Sequence, residues 1–283
     1  MKQQYEIQRV MNNNVVLAKD LKKSTEVVLM GKGLGFGKKK GQLLDAKVGV
    51  EKSFEAGDSS TMKDSYLKML EEVNGDIVEI CTEILLVAEQ KLGNLSDRSF
   101  IVVVDHISFA LEKIEKKIEI DNPFVYEIEQ LYPEEYAIGE YARDRILEKL
   151  KVDITQDEVG FIALHLHAAK EHRVVKDTLR DTRLIKSMVN IIESDLEISL
   201  KAKPLINHRL LTHLRGLLKR IELGTAEPRH PLYDVTIREC RDAYAITSQL
   251  AAMLNGEKRT MSDSDRFYLT LHIDRLIRLK LDQ

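Results

Sequence analysis

A chain of 283 residues with 43% hydrophobic content has ample apolar side chain for packed cores and room for two or three domains, while its longest apolar runs fall well short of the ~18 residues a membrane span needs. The net charge of −3 hides an asymmetry: residues 1 to 60 hold 11 Lys+Arg against 7 Asp+Glu, so the basic N-terminal end is where a polyanion would bind. Cys81 and Cys240 form no CxxC pair, which argues against a disulfide framework or a thiolate metal site, and the N-terminus lacks the basic-then-apolar order of a signal peptide; a cytoplasmic protein without membrane insertion is expected.

The first 60 residues alternate in the manner of strands. Tyr5/Ile7/Arg9, Val15 to Ala18, Val27 to Met30 and Val48/Val50/Phe54 predict four short strands. Asn12-Asn13-Asn14 reads as a tight hairpin turn, since Asn tolerates positive φ, and Lys22-Lys23-Ser24 joins the second strand to the third. Then comes Gly31-Lys32-Gly33-Leu34-Gly35-Phe36-Gly37-Lys38-Lys39-Lys40. Its alternating glycines admit close backbone approach to a ligand, its lysines can meet phosphates, and Phe36 offers a face for stacking. The spacing fits neither a dinucleotide fingerprint nor a P-loop. The plain alternative is a glycine-rich turn with solvated lysines.

Ala56-Gly57-Asp58-Ser59-Ser60 reads as a linker, and beyond it the apolar period changes from 2 to 3.6. Helices are predicted over Met62 to Glu72, Asp76 to Leu92, Asp97 to Lys116, Pro123 to Leu131, Glu134 to Leu150 and Gln156 to Glu171, and again from about Asp181. The second set follows from an internal repeat. Val159 to His167 returns as Arg266 to Asp274, and Asp105 to Leu111 as Thr212 to Leu218, both 107 residues later. Pro123 recurs as Pro231 and Tyr136-Ala137-Ile138 as Tyr244-Ala245-Ile246, at offset 108. Each copy should form a bundle of about five helices. Thr155 with Glu158, and Ser262 with Asp265, carry a capping-box signature, so the two last helices start in the same register.

Each copy holds two histidines 59 residues apart: His106 and His165, then His213 and His272. The apolar stripes Val103/Ile107/Ala110, Ile162/Leu166/Ala169, Leu210/Leu214/Leu217 and Leu269/Ile273/Leu276 each run beside one of them. One position is ~100° around a helix, so every imidazole should sit at the edge of the core, packed but reachable. A lone histidine there is usually structural; four at equivalent positions weigh against that. Such an imidazole can be a general base, a metal ligand or a phosphoryl acceptor. Asp105 precedes His106, but no Ser or Cys nucleophile and no carboxylate pair recurs with the histidines, so no catalytic residue and no enzyme is expected. A metal site drawn from His106, His165 and His167 is not repeated, because Asp274 stands opposite His167. Reversible phosphorylation needs only an accessible imidazole and a donor partner. His167, His172, His208 and His230 have no repeat partner and read as surface or structural.

On these residues the chain resembles the BglG/SacY/LicT family of bacterial transcriptional antiterminators, most of all its glucose-operon branch. Val10 to Val15 and Gly31 to Lys39 match the family's RNA-binding domain; Asp105-His106, Phe161 to His165, Thr212-His213-Leu214 and Tyr268 to Ile273 match its two regulatory domains. The resemblance implies a multidomain α+β fold, with a four-stranded antiparallel RNA-binding domain at 1–60 and two homologous all-α five-helix bundles at 61–173 and 174–283. Carried over by position, Arg9, Asn12, Asn14, Gly31, Lys32, Gly33 and Phe36 would contact RNA, with Lys38 supplying phosphate contact. His106, His165, His213 and His272 would be phosphorylated by the sugar phosphotransferase system. Thr212 in place of Asp105 and Asp274 in place of His167 mark where the second copy departs. The implied partners are an RNA antiterminator hairpin, the histidine phosphocarrier protein HPr, a sugar-specific transport enzyme II and a second copy of the chain; no cofactor or metal is implied. The competing readings are a DNA-binding activator of the same regulatory family with a helix-turn-helix N-terminus, and a histidine-metal enzyme within the bundle.

Overall fold

This computed structural model describes residues 4–45, 49–50, 52–55, 73–96 and 98–281. The linker expected at Ala56 to Ser60 and the helix expected over Met62 to Glu72 lie outside the described residues. Five antiparallel strands are described: β1 (Gln4–Val10), β2 (Val15–Asp20), β3 (Glu26–Met30), β4 (Leu43–Asp45) and β5 (Lys52–Glu55), in the order β4-β1-β2-β3-β5. The period-2 alternation works as expected. Ile7 faces Ala18, which faces Val27, and Val16 faces Leu29. These residues pack with Tyr5, Leu34 and Leu44 into one core. The first three expected strands are present; of the fourth, expected over Val48, Val50 and Phe54, Val48 lies outside the described residues and the strand observed is Lys52–Glu55, while β4 adds a short edge against β1. Three residues are too few to show a period, so alternation could not single it out. The described N-terminal residues thus form a sheet and not a helix-turn-helix.

The β1–β2 connection corrects one expectation. None of Asn12, Asn13 and Asn14 takes positive φ. The Asn12 side-chain oxygen instead accepts from the amides of Asn14 (2.8 Å) and Val15 (2.9 Å), an Asx turn that closes the hairpin without left-handed backbone. Asp20 closes the next turn in the same way, accepting from the amides of Lys22 and Lys23.

The chain divides into two units, Met1–Thr178 and Leu179–Gln283. The first bundle comprises α1 (Gly75–Leu92), α2 (Ser99–Glu115), α3 (Val125–Leu131), α4 (Pro133–Leu150) and α5 (Gln156–Lys170). Helix α6 (Val175–Leu196) leads into α7 (Pro204–Leu223), α8 (Tyr233–Glu239), α9 (Arg241–Gly256) and α10 (Asp263–Leu281), so each copy shows five described helices. Tyr132 ends α3, and Pro133 at the first turn of α4 costs no intrahelical donor, which permits a sharp corner there.

The two copies pack their last two helices differently. A Cβ on Gly139 would lie 2.7 Å from the Val159 carbonyl, so α4 meets α5 where there is no side chain. At the equivalent place in the second copy, Thr270 donates to Thr247 at 3.1 Å, both buried, so a hydroxyl pair joins α9 to α10. The capping boxes differ as well. Ser262 and Asp265 bond reciprocally, amide to side chain in both directions. Thr155 accepts from the Glu158 amide, but neither Glu158 carboxylate oxygen returns the bond; the expected box is half formed because that carboxylate lies against a histidine.

Candidate RNA interface and histidine pairs

The glycine-rich segment is tied to the asparagine turn by three bonds. Gly31 donates to the Asn14 carbonyl (2.9 Å), Gly33 to the Asn14 side-chain oxygen (2.8 Å) and Gly35 to the Asn13 carbonyl (2.9 Å). A Cβ on Gly35 would meet the Asn12 carbonyl at 2.2 Å, so only glycine allows this approach. Gly33 and Gly37 take positive φ. Leu34 is buried beneath the segment, and Phe36 is 73% exposed above it. Around Phe36 stand exposed Lys32, Gly33, Lys38, Lys39 and Lys40, with Arg9 exposed on β1 and Asn12 half-buried. Asn14 and Gly31, also expected at the RNA, are buried beneath these bonds.

In the first bundle, α2 and α5 bring His106 and His165 together, with ring centroids 4.5 Å apart and planes at 31°. Their stripe neighbours Val103, Ile107, Ile162 and Leu166 are buried, so the rings sit at the core edge as the helical spacing predicts. Glu158, 1% exposed, places Oε2 3.1 Å from His106 Nε2, though without hydrogen-bond alignment. Nδ1 of His165 is buried and unpartnered. On His106 the buried nitrogen without a hydrogen bond is Nε2, and on His165 it is Nδ1. Burial, with His106 beside it, pushes His165 down to about 3. His165 also borders a pocket of about 660 Å³ to which Arg98, His172 and Arg173 contribute.

In the second bundle, α7 and α10 bring His213 and His272 closer still, with centroids 3.6 Å apart and planes at 34°. Burial lowers both, assisted by Arg220 at His213 and by His213 and Arg275 at His272, so both favour the neutral ring that can act as a nucleophile. Their pocket, about 430 Å³, has apolar walls such as Leu210 and Leu276 and two cations, Arg209 and Arg275. Asp265, the counterpart of Glu158, is occupied with Arg220 at 2.8 Å.

Two of the unrepeated histidines, His167 and His230, have side-chain partners of their own. His167 places Nδ1 2.9 Å from Oε1 of buried Glu135 and lies against Tyr132, with centroids 4.0 Å apart. Burial raises Glu135, but the His167 hydrogen bond and nearby charges bring it below the ordinary carboxylate range. His230 stacks on Phe267 at 4.1 Å and accepts from the Leu232 amide. His172 takes φ 52 just beyond α5, and the exposed His208 receives the Thr212 hydroxyl on its carbonyl. Among the described residues no three His, Cys, Asp or Glu come together as a metal site. Three contributors escaped the sequence reading: Glu158, which looked like a cap alone, and Arg209 and Arg275. The signal for the arginines was present, one turn from a repeated histidine on the same helix face.

A small β domain with a basic, aromatic-tipped loop, followed by a duplicated bundle that pairs two histidines in each copy, defines a regulator with one nucleic-acid-binding end and two control modules. The CAT RNA binding domain family matches residues 5–63, and the PRD domain family matches twice, at 82–169 and 186–276. The chain belongs to the BglG/SacY/LicT family of transcriptional antiterminators. It is 32% identical to the beta-glucoside operon antiterminator of Dickeya chrysanthemi, over 95% of this chain and 96% of that protein. It is 29% identical to transcription antiterminator LicT of Bacillus subtilis (96% and 99%) and 30% to protein GlcT of Staphylococcus saprophyticus (94% and 95%). The crystal structure of GlcT CAT-PRDI superposes with TM-score 0.50 at 35% identity, covering 59% of this chain and 98% of that one. Among the described residues no helix is long and apolar enough to cross a membrane.

Proposed function

We propose that this antiterminator binds an RNA hairpin in the leader of a sugar phosphotransferase operon, with glucose as the sugar, and prevents the terminator from forming. The RNA surface consists of Arg9, Asn12, Lys32, Gly33, Phe36 and Lys38, with Asn14 and Gly31 holding it from behind. Residues 1–60 form the RNA-binding domain, and 61–173 and 174–283 the two regulatory domains. His106 and His165, then His213 and His272, accept phosphoryl groups from HPr and a sugar-specific enzyme II in the cytoplasm, and the chain acts as a homodimer.

The observation that carries this reading is the recurrence of the pair. Two imidazoles meet within 4.5 Å in one copy and 3.6 Å in the other, on helices of equal register, each beside a pocket holding arginine. A phosphohistidine adds close to two negative charges at that edge, enough to repel a like-charged copy across a dimer interface. By resemblance to the family, transport-enzyme phosphorylation of the first domain inhibits, and phosphocarrier phosphorylation of the second modulates or activates. The test is a gel shift of the full chain with the leader RNA of a sugar-transporter operon, before and after incubation with the phosphocarrier system. A shift that responds to neither RNA sequence nor phosphorylation overturns the reading.

A further inference from the structure

We propose that Arg209 and Arg275 form a phosphoryl clamp over the His213–His272 pair, particular to the second copy; the inference rests on the phosphorylation of these histidines proposed above. Arg209 lies four residues before His213 on α7, and Arg275 three residues after His272 on α10. Those spacings place each arginine on the same helix face as its histidine, one turn away. All four residues line one pocket of about 430 Å³, roomy enough for a phosphoryl group, whose other walls are apolar. Both arginines are exposed, and neither has a carboxylate partner among the described residues. Unspent guanidinium groups beside paired imidazoles are what an incoming dianion needs, since arginine's fork of donors matches three phosphoryl oxygens.

The first copy is built otherwise. The positions equivalent to Arg209 and Arg275 are Val102 and Ala168, and a carboxylate, that of Glu158, stands 3.1 Å from His106. The cations of its pocket, Arg98 and Arg173, come from the start of α2 and from beyond α5. In the second copy Arg220 holds the counterpart carboxylate, Asp265, which leaves Arg209 and Arg275 for a ligand. The second pair therefore draws a phosphoryl group in and offsets its charge locally, while the first pair meets it with a buried carboxylate.

The test uses the full chain and phosphoramidate, a small donor that needs no partner protein. An imidazole nitrogen attacks phosphorus, the P–N bond of the donor breaks, and ammonia leaves with the imidazole proton as ammonium. Initial labelling rates at His213 and His272 are followed by peptide mapping at mildly alkaline pH, above the range in which both rings titrate. Arg209→Ala and Arg275→Ala are each expected to slow labelling of the second pair about tenfold, the scale of one lost charge-assisted contact, with His106 and His165 labelling unchanged. Arg→Lys variants at the same positions should recover part of the rate, since they keep the charge but not the fork, whereas Arg→Gln should not; inorganic phosphate should slow wild-type labelling at the second pair. Both arginines are exposed, so helix content by circular dichroism should not change. If wild type labels at His213 and His272 and both Ala variants match its rate, the clamp alone falls. If wild type takes no label there from phosphoramidate or from the phosphocarrier protein, the phosphorylation reading of that pair falls, and the clamp with it.

Discussion

Oε2 of Glu158 stands 3.1 Å from Nε2 of His106, and the carboxylate has no hydrogen-bond partner. It occupies the third helical position of α5, where the sequence pattern assigns it to capping, yet it faces the imidazole of α2. A buried carboxylate without a donor is costly, and a neutral amide of the same shape removes that cost. Glu158→Gln should therefore fold with equal or greater stability, by about 1 kcal/mol, measured as a urea midpoint at unchanged slope. It should also take up more phosphate at His106, because a negative charge beside the acceptor is gone. Because Glu158 covers Nε2, the phosphoryl group should arrive on Nδ1, which nitrogen-phosphorus NMR of labelled protein distinguishes. A large loss of stability in Glu158→Gln would mean that the carboxylate has a protonated partner and is not an unpaired charge.

Acid should weaken the first bundle through His165. Its folded value is about 3 against an ordinary 6.5, because burial and His106 both disfavour the charged ring. Between those values the unfolded chain binds a proton at this site that the folded chain refuses, so unfolding free energy falls as pH falls through that window. His213 and His272, also lowered, act in the same direction. The slope from His165 alone is at most ~1.4 kcal/mol per pH unit. Denaturant midpoints between neutral pH and roughly pH 5 should drop in wild type and drop less in His165→Gln. Equal pH slopes in the two proteins would show that His165 ionises freely when folded.

How much of this the sequence made legible depends on what kind of signal each residue carries. The repeat placed His106 with His165 and His213 with His272, because equivalent residues in duplicated helices must share a register, and ring distances of 4.5 and 3.6 Å answer that expectation. Period-2 alternation likewise located β1, β2 and β3 through Ile7, Ala18 and Val27. Leu43–Asp45 escaped it because so short an edge strand has no period to read. The roles of Asn14 and Glu158 were hidden for another reason. Asn14 holds Gly33, 19 residues away, and Glu158 reaches His106 across a helix interface; neither contact has a local spacing rule. The asparagine turn was recognised, but by the wrong device, since side-chain capping by Asn12 replaces positive φ.

The proposed RNA surface divides, by burial, into exposed residues that would touch RNA and buried ones that would hold the loop. Phe36, 73% exposed, should lose ~1 to 3 kcal/mol of hairpin affinity as Phe36→Ala, the scale of one base–aromatic stack, with no change in thermal midpoint. Lys38→Ala should act more weakly and mainly lower the salt dependence of binding. Asn14→Ala should behave differently, because it removes the acceptor for the Gly33 amide at 2.8 Å inside the fold. Both midpoint and affinity should fall together. Titration of leader hairpin with each variant, beside its melting curve, separates the classes. A Phe36→Ala protein with wild-type affinity and salt slope would place the RNA on another face of the sheet.

On the proposed reading, regulation depends on coupling between the bundles and the sheet. If the RNA site is assembled from two copies, phosphorylation can weaken RNA binding by no more than the difference in its free energy between the two dimer arrangements. His106→Asp places one permanent negative charge beside His165 and near Glu158, at a position flanked by buried Val103 and Ile107. A carboxylate carries about half the charge of a phosphoryl group and fewer acceptor oxygens, so a partial shift toward the inhibited state is the expected size. His106→Ala removes the acceptor without adding charge and should leave RNA binding constitutive, insensitive to the transport enzyme. Sedimentation and RNA titration of the two full-length variants, with phosphorylated and unphosphorylated wild type alongside, order the four states. His106→Asp should fall between the two wild-type forms, and His106→Ala should match the unphosphorylated one. Equal RNA affinity and equal dimerisation for His106→Asp and His106→Ala, under conditions where phosphorylated wild type differs from both, would remove charge at this position as the switch.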